Sequence, residues 1–307
     1  MSSFPAKPAA DTRAPAANPL LLAAADIKLS HSIFALPFAV LGAFLARPVD
    51  APWPRFGGQL ALVVMCMVIA RTWAMVVNRL ADRDIDARVG RTRGRPIVAG
   101  RVKPVQALIF GIVLGVIAAV QLWITVNGLA AALSVLGLLG YVLLYSAWLK
   151  RRTPQNIVIG GVAGAIPPLV GWAAAAGSLS VDALFPFLVI FLWTPPHFWA
   201  LALLISDDYE KTGIPMMPVV RGEEYTRNRI LLYTVLLVAF TLVPVATGFF
   251  GGLYLAAAAI LGALFLGGSI ALLRSPSRKT ALQLHLGSLA YLFLLFGAMA
   301  ADRVLAA

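Results

Sequence analysis

The chain is poor in charge, in acid and in cysteine. Only 12% of its 307 residues are charged, and 60% are hydrophobic. No soluble domain needs that much apolar surface, and runs of about twenty apolar residues read as membrane spans. The single cysteine, Cys66, lies inside an apolar run. It excludes an internal disulfide and reads as a packing residue. The opening stretch MSSFPAKPAADTRAPAANP has no continuous apolar run, so a cleaved signal peptide is not expected. Residues 1–26 read instead as a disordered cytoplasmic tail, and 27–307 as one membrane domain.

What is abundant is apolar sequence with a one-sided distribution of base. Nine apolar segments can be drawn, at roughly 27–46, 58–79, 105–123, 128–147, 155–176, 181–205, 229–249, 252–273 and 282–300. Lipid offers a backbone no other hydrogen-bond partner, so these segments are expected to be helices. The basic residues crowd the loops after the second, fourth, sixth and eighth segments. Arg83, Arg88, Arg91, Arg93, Arg95, Arg101 and Lys103 follow the second; Lys150, Arg151 and Arg152 the fourth. Lys211, Arg221, Arg227 and Arg229 follow the sixth; Arg274, Arg278 and Lys279 the eighth. The opposite side has Arg47, Arg55 and Arg303. The excess of base predicts that the even loops and the N-terminus face the cytoplasm.

The acids are few, and three of them fall together. Asp82, Asp84 and Asp86 end the second segment, four and eight residues beyond Asn78 for the outer two. At about 100° per residue, Asn78, Asp82 and Asp86 drift by only about 40° per step and form one stripe, while Asp84 points away. Acids add little to topology and cost energy inside a span, so a solvated helix end explains them poorly. Three oxygen-bearing side chains on one face suit a hard cation, Mg²⁺, shared with substrate phosphates. Zinc is not expected, because no histidine or cysteine lies nearby. Arg71 stands seven residues before Asn78 on the same face. It is expected either to pair with Asp82 or to hold a diphosphate oxygen.

The two long loops resemble each other. PIVAG at 96–100 and PVVRG at 218–222 share P-x-V-x-G at an offset of 122 residues, which also maps Asp86 onto Asp208. This predicts a diverged four-helix repeat, with the site at the interface of its copies.

The stripe resembles the first signature, N-x-x-x-D-x-x-x-D, of the UbiA family of intramembrane prenyltransferases. The stretches YSAWLKRRTPQNIVIGGVAGAIPPLVGWAAAAG, FLWTPPHFWALAL and DDYEKTGIPMMPVVRG resemble the haem O synthase branch of that family. KLSHSIFALPFAVLGAF and ARTWAMVVNRLADRDIDAR look more like the 4-hydroxybenzoate polyprenyltransferases. The resemblance implies an all-α polytopic membrane protein, a UbiA-like bundle of about nine transmembrane helices. It implies a Mg²⁺-dependent transfer of farnesyl from farnesyl diphosphate to the 2-vinyl group of protohaem IX, giving haem O. The other acceptor would be 4-hydroxybenzoate. A transporter is a third reading, but its polar groups should spread through the midplane rather than crowd one face.

Under the enzyme reading Asn78, Asp82, Asp86 and Asp208 hold the metal. Arg71, Asp207, Lys150, Arg151 and Lys211 are candidates for the diphosphate or for haem propionates. Tyr141 and Tyr145 could shield a cation with their ring faces. Asn156 reads as a polar cavity residue. His197 follows two prolines expected to break the sixth segment and line a cavity; it could ligate haem iron or simply pack, as could His31. The expected partners are the two substrates, the lipid bilayer of a bacterial-type inner membrane and, downstream, a haem A synthase. No nucleic acid is expected.

Overall fold

The computed structural model describes residues 36–47, 52–88, 90 and 92–305. The expected N-terminal tail, the start of the first segment with His31, and Arg91 lie outside the described residues. Among those described there is no strand. Among them, eight helical units are long and apolar enough to cross a membrane, and a ninth apolar helix, α1, is described over Leu36–Leu45.

The second span is α2 (Trp53–Ala81), followed by the short α3 (Arg83–Asp86). The third is α4 (Pro104–Thr125). The fourth begins as α5 (Gly128–Leu139), becomes π-helical over Gly140–Trp148, and ends in a 3₁₀ turn, Leu149–Arg151. Sequence periodicity did not announce that change of winding. The fifth segment is split into α6 (Asn156–Ala165) and α7 (Pro167–Ala176), because Pro167 and Pro168 carry no backbone N–H to continue α6.

Beyond them run α8 (Leu184–Leu204), α9 (Ser206–Thr212), α10 (Met217–Arg221), α11 (Glu223–Thr241) and α12 (Val243–Ala246). The last two spans are α13 (Gly252–Arg274) and α14 (Arg278–Leu305). One expectation fails here. Pro195 and Pro196 lie inside α8, which continues through them. Trp193, Thr194, Pro195, Pro196 and His197 are all buried, so packing on every side holds the backbone helical where local chemistry would break it.

The middle of the bundle is made by the α6–α7 unit and α8. More than half of each is buried inside the protein, against 22% for α4. The α8 helix packs against α6, α11 and α14, while α1 lies along α7. That last contact is unusually close. A Cβ on Gly171 would stand 1.9 Å from the Ala39 carbonyl oxygen, and one on Gly42 2.0 Å from that of Pro168. In lipid, helices associate through close packing of small residues like these. Backbone cannot yield as a side chain can. Gly171→Ala should therefore cost about 3 kcal/mol or more. Gly287→Ala, with nothing within 4 Å, should cost little. Melting of the two variants in detergent is the measurement, and equal midpoints would refute the close approach.

The 122-residue offset also has local counterparts. Helix α2 gives way at Asp82 and α8 at Ile205, and each is followed by a short acidic helix. Gly100 and Gly222, paired by the same offset, both have positive φ, 72° and 82°. That conformation favours glycine and explains why the P-x-V-x-G pattern ends as it does.

Candidate active site

The break at Asp82 does not destroy the stripe. Asp82 has φ −92° and ψ 1°, yet its N–H still bonds the Asn78 carbonyl at 2.9 Å. The Asp86 N–H bonds the Asp82 carbonyl at 2.8 Å. The four-residue spacing thus persists across the junction. Asp82 and Asp86 are buried, and Asp84 is exposed.

A knot of side chains forms around Asp82. Asn78 Nδ2 donates to Asp82 Oδ2 at 3.1 Å, and Lys150 Nζ donates to the same oxygen at 2.6 Å. Ser146 Oγ donates to Asn78 Oδ1 at 3.0 Å. The other carboxylate oxygen, Asp82 Oδ1, is buried and has no hydrogen-bond partner. Asp86 pairs with Arg95, and its backbone carbonyl accepts from Thr92 Oγ1 at 2.8 Å. Arg151 donates to the Ala81 carbonyl and so closes the end of α2. Tertiary folding therefore joins α2 to the end of the fourth span, 68 residues away in the chain.

The π-helical stretch presents the tyrosines. Tyr141 and Tyr145 stack at 5.6 Å between centroids. The Tyr145 ring lies against Gly160, where a Cβ would meet it at 2.3 Å. Tyr141 is within electrostatic reach of Asp82, Arg71 and Arg79, and Tyr145 of Asp82 and Tyr209. Wide i→i+5 turns of this kind occur often at functional sites. Arg71 makes no ion pair with Asp82; its electrostatic neighbour is Tyr141, and its Nε is buried without a partner.

Asn156 opens α6 and is wholly buried, and neither atom of its amide has a hydrogen-bond partner. Asp208 is half-buried on α9. Its neighbour Asp207 is exposed and lines a different cavity, with Arg227 and Arg278. Lys211 is exposed in the last turn of α9. Among the described residues no three His, Cys, Asp or Glu side chains cluster as a metal cage. Any cation at the stripe must share its coordination with other oxygens.

His197 belongs to a separate, tightly specified group between α8 and α14. Ser288 Oγ donates to the His285 carbonyl at 2.6 Å. That uses its only proton, so His197 Nδ1 must donate the proton it shares with Ser288 at 2.7 Å. Nε2 of His197 then carries a lone pair. Trp193 stacks on one side of the ring at 4.2 Å and His285 on the other at 4.4 Å. His285 Nδ1 donates to the His197 carbonyl at 3.2 Å. Ser146, Arg95, His285, Ser288 and Trp193, which the structure sets beside the candidate residues, were not singled out from sequence. Arg95 had a signal, since it follows the stripe in the same loop, and His285 had the one that His31 had, a histidine inside an apolar segment; the others had none.

The comparisons agree with this geometry. Residues 35–297 match the UbiA prenyltransferase family. A protohaem IX farnesyltransferase of Alkalilimnicola ehrlichii is 48% identical over 269 residues, covering 87% of this chain and 87% of that protein. One from Thermus thermophilus is 50% identical over 265 residues, covering 86% of this chain; the chain spans only 43% of its length. A UbiA homologue from Aeropyrum pernix has the same fold, with a TM-score of 0.71 at 23% identity, covering 90% of this chain and 99% of that one. Another, from Archaeoglobus fulgidus and bound to GPP and Mg²⁺, has a TM-score of 0.63 at 15% identity and covers 92% of this chain and 99% of its own. With most of its acids gathered at one end of the bundle, its family signature on α2–α3 and a family match across nearly all described residues, the chain belongs to the UbiA prenyltransferase family.

Proposed function

We propose that this chain transfers the farnesyl group of farnesyl diphosphate to the 2-vinyl group of protohaem IX, with addition of water, giving haem O and diphosphate. The observation that carries this reading is the near 50% identity to protohaem IX farnesyltransferases over most of the chain. These relatives do not favour the 4-hydroxybenzoate alternative.

The residues present fit Mg²⁺. Asp82, Asp86 and the Asn78 amide offer hard oxygens, and the buried, unpartnered Asp82 Oδ1 is a carboxylate oxygen without a cation or a donor. Asp208 is the candidate from the second copy. Bound Mg²⁺ would supply Lewis-acid charge on the leaving diphosphate. Lys150 and Arg95 are fixed cations beside the same carboxylates and stabilise the charge that builds on the leaving oxygens. The C–O bond of the allylic diphosphate breaks, and its electron pair leaves with the diphosphate. The vinyl π pair forms the new C–C bond, and water captures the resulting cation and releases one proton. Tyr141 and Tyr145 would shield such a cation with their rings and help keep water away. Arg71 and Arg151 serve the diphosphate, while Asn156 and the lone pair on His197 Nε2 serve the haem. The basic loops support a cytoplasmic catalytic face in a bacterial inner membrane, and a haem A synthase would consume the product.

The test is direct. Purified protein is incubated with Mg²⁺, farnesyl diphosphate and either protohaem IX or 4-hydroxybenzoate, and product masses are read. Haem O is the expected product. Farnesylated hydroxybenzoate would overturn the acceptor. EDTA should stop the reaction and Mg²⁺ should restore it; turnover that persists in EDTA removes the metal.

A further inference from the structure

A polar cavity opens at the basic end of the bundle, with a volume of about 260 Å³. It lies where the α8–α9 junction, the start of α11 and the turn between α13 and α14 meet. Asp207, Glu223, Arg227 and Arg278 supply its charge, and Leu203 and Leu272 part of its apolar wall. None of Asn78, Asp82, Asp86, Ser146 or Lys150 lines it.

The two guanidinium groups are anchored but not exhausted. Arg227 Nη1 donates to Glu223 at 3.1 Å, and Arg278 Nη1 donates to the Leu204 carbonyl at 3.0 Å. Arg227 Nε is buried with no partner. An unmade donor of this kind is costly and calls for an acceptor. Long helices α11 and α14 both begin here, and their N-terminal ends add partial positive charge that favours an anion.

We propose that this cavity binds the head group of a phospholipid with a primary ammonium, a phosphoethanolamine. Its phosphodiester would lie on Arg227 and Arg278, and its ammonium between Asp207 and Glu223. The mixture of charges selects the ligand. A diphosphate or a dicarboxylate would bring only negative charge against two carboxylates. A glycerol head group would offer them no cation.

Position favours a lipid over a soluble ligand. The cavity sits at the ends of four spans, at the level of membrane head groups. From Arg278 the i, i+4 stripe on α14 continues to Leu282 and Leu286, which are 46% and 54% exposed. An acyl chain attached to the head group has that apolar track beneath it.

Native mass spectrometry of the delipidated full-length protein tests this, with short-chain phosphatidylethanolamine, phosphatidylcholine and phosphatidylglycerol as probes. Phosphatidylethanolamine should bind at least about tenfold more tightly than the other two, because choline has no N–H to give a carboxylate and glycerol has no charge. Glu223→Gln and Arg278→Gln should each weaken it by about tenfold or more, with melting in detergent unchanged. Glu223→Gln should also narrow the gap between the ethanolamine and choline lipids. Soluble phosphoethanolamine should displace the lipid and inorganic phosphate should not. Equal binding of all three lipids, preference for phosphatidylglycerol, displacement by phosphate, or unchanged binding in both variants would each overturn the proposal.

Discussion

Asp82→Asn should lower turnover by about 10²–10³-fold while the chain stays folded. The substitution keeps the shape and an oxygen for Asn78 and Lys150, but removes the charge that a divalent cation needs. Lys150, only 15% exposed, would lose its counter-charge. It stands at the end of a span and can turn to water, so the loss of stability should be modest. A cationic lysine can still attract diphosphate, so binding of an unreactive farnesyl diphosphate analogue should weaken less than turnover falls. Its dependence on Mg²⁺ should disappear. Asp84→Asn is the control, because Asp84 is exposed two residues away. If the two variants lose equal activity, the stripe is not the site.

Asn156→Leu should abolish most activity without destabilising the protein. A buried residue that serves the fold loses stability when its hydrogen bonds are removed. Asn156 is fully buried and has no such bonds to lose. An unsatisfied buried polar group costs about 1–3 kcal/mol, so an apolar side chain of similar size should leave stability level or raise it. If Asn156 hydrogen-bonds substrate, turnover should fall by about 10²-fold, as when a positioned donor is removed. Opposite signs of effect on melting temperature and on turnover are the expected signature. A parallel loss of both would make Asn156 a structural residue whose partner lies elsewhere.

The stripe was legible because helical spacing is local. Asn78, Asp82 and Asp86 share a face by arithmetic alone, and that face persisted through the break at Asp82. The offset of 122 residues was legible for a similar reason, since a glycine with positive φ marks its position in each copy. The proline pair at 195–196 misled, because local chemistry predicted a break that surrounding packing prevents. Lys150 was recognised as a candidate, but nothing in its neighbourhood named Asp82 as its partner. Ser146 and Ser288 carried no signal at all. A serine in an apolar helix looks the same whether it bonds its own backbone or a side chain on another helix.

Sequence by itself determined that the chain is helical, membrane-spanning and charged on one end, and that a carboxylate stripe marks that end. Those properties follow from composition, period and the cost of polar groups in lipid, which act over a few turns. Tertiary structure alone decided which helices meet. It set Lys150 on Asp82, turned Asp207 toward Arg227 and Arg278 while Asp208 lines no part of that cavity, and left the Asn156 amide buried without a partner. It also set His197 Nδ1 2.7 Å from the hydroxyl of a serine 91 residues away. Such contacts depend on how close two backbones can come, as at Gly42 and Gly171, and that distance is a property of the packed bundle rather than of any one segment.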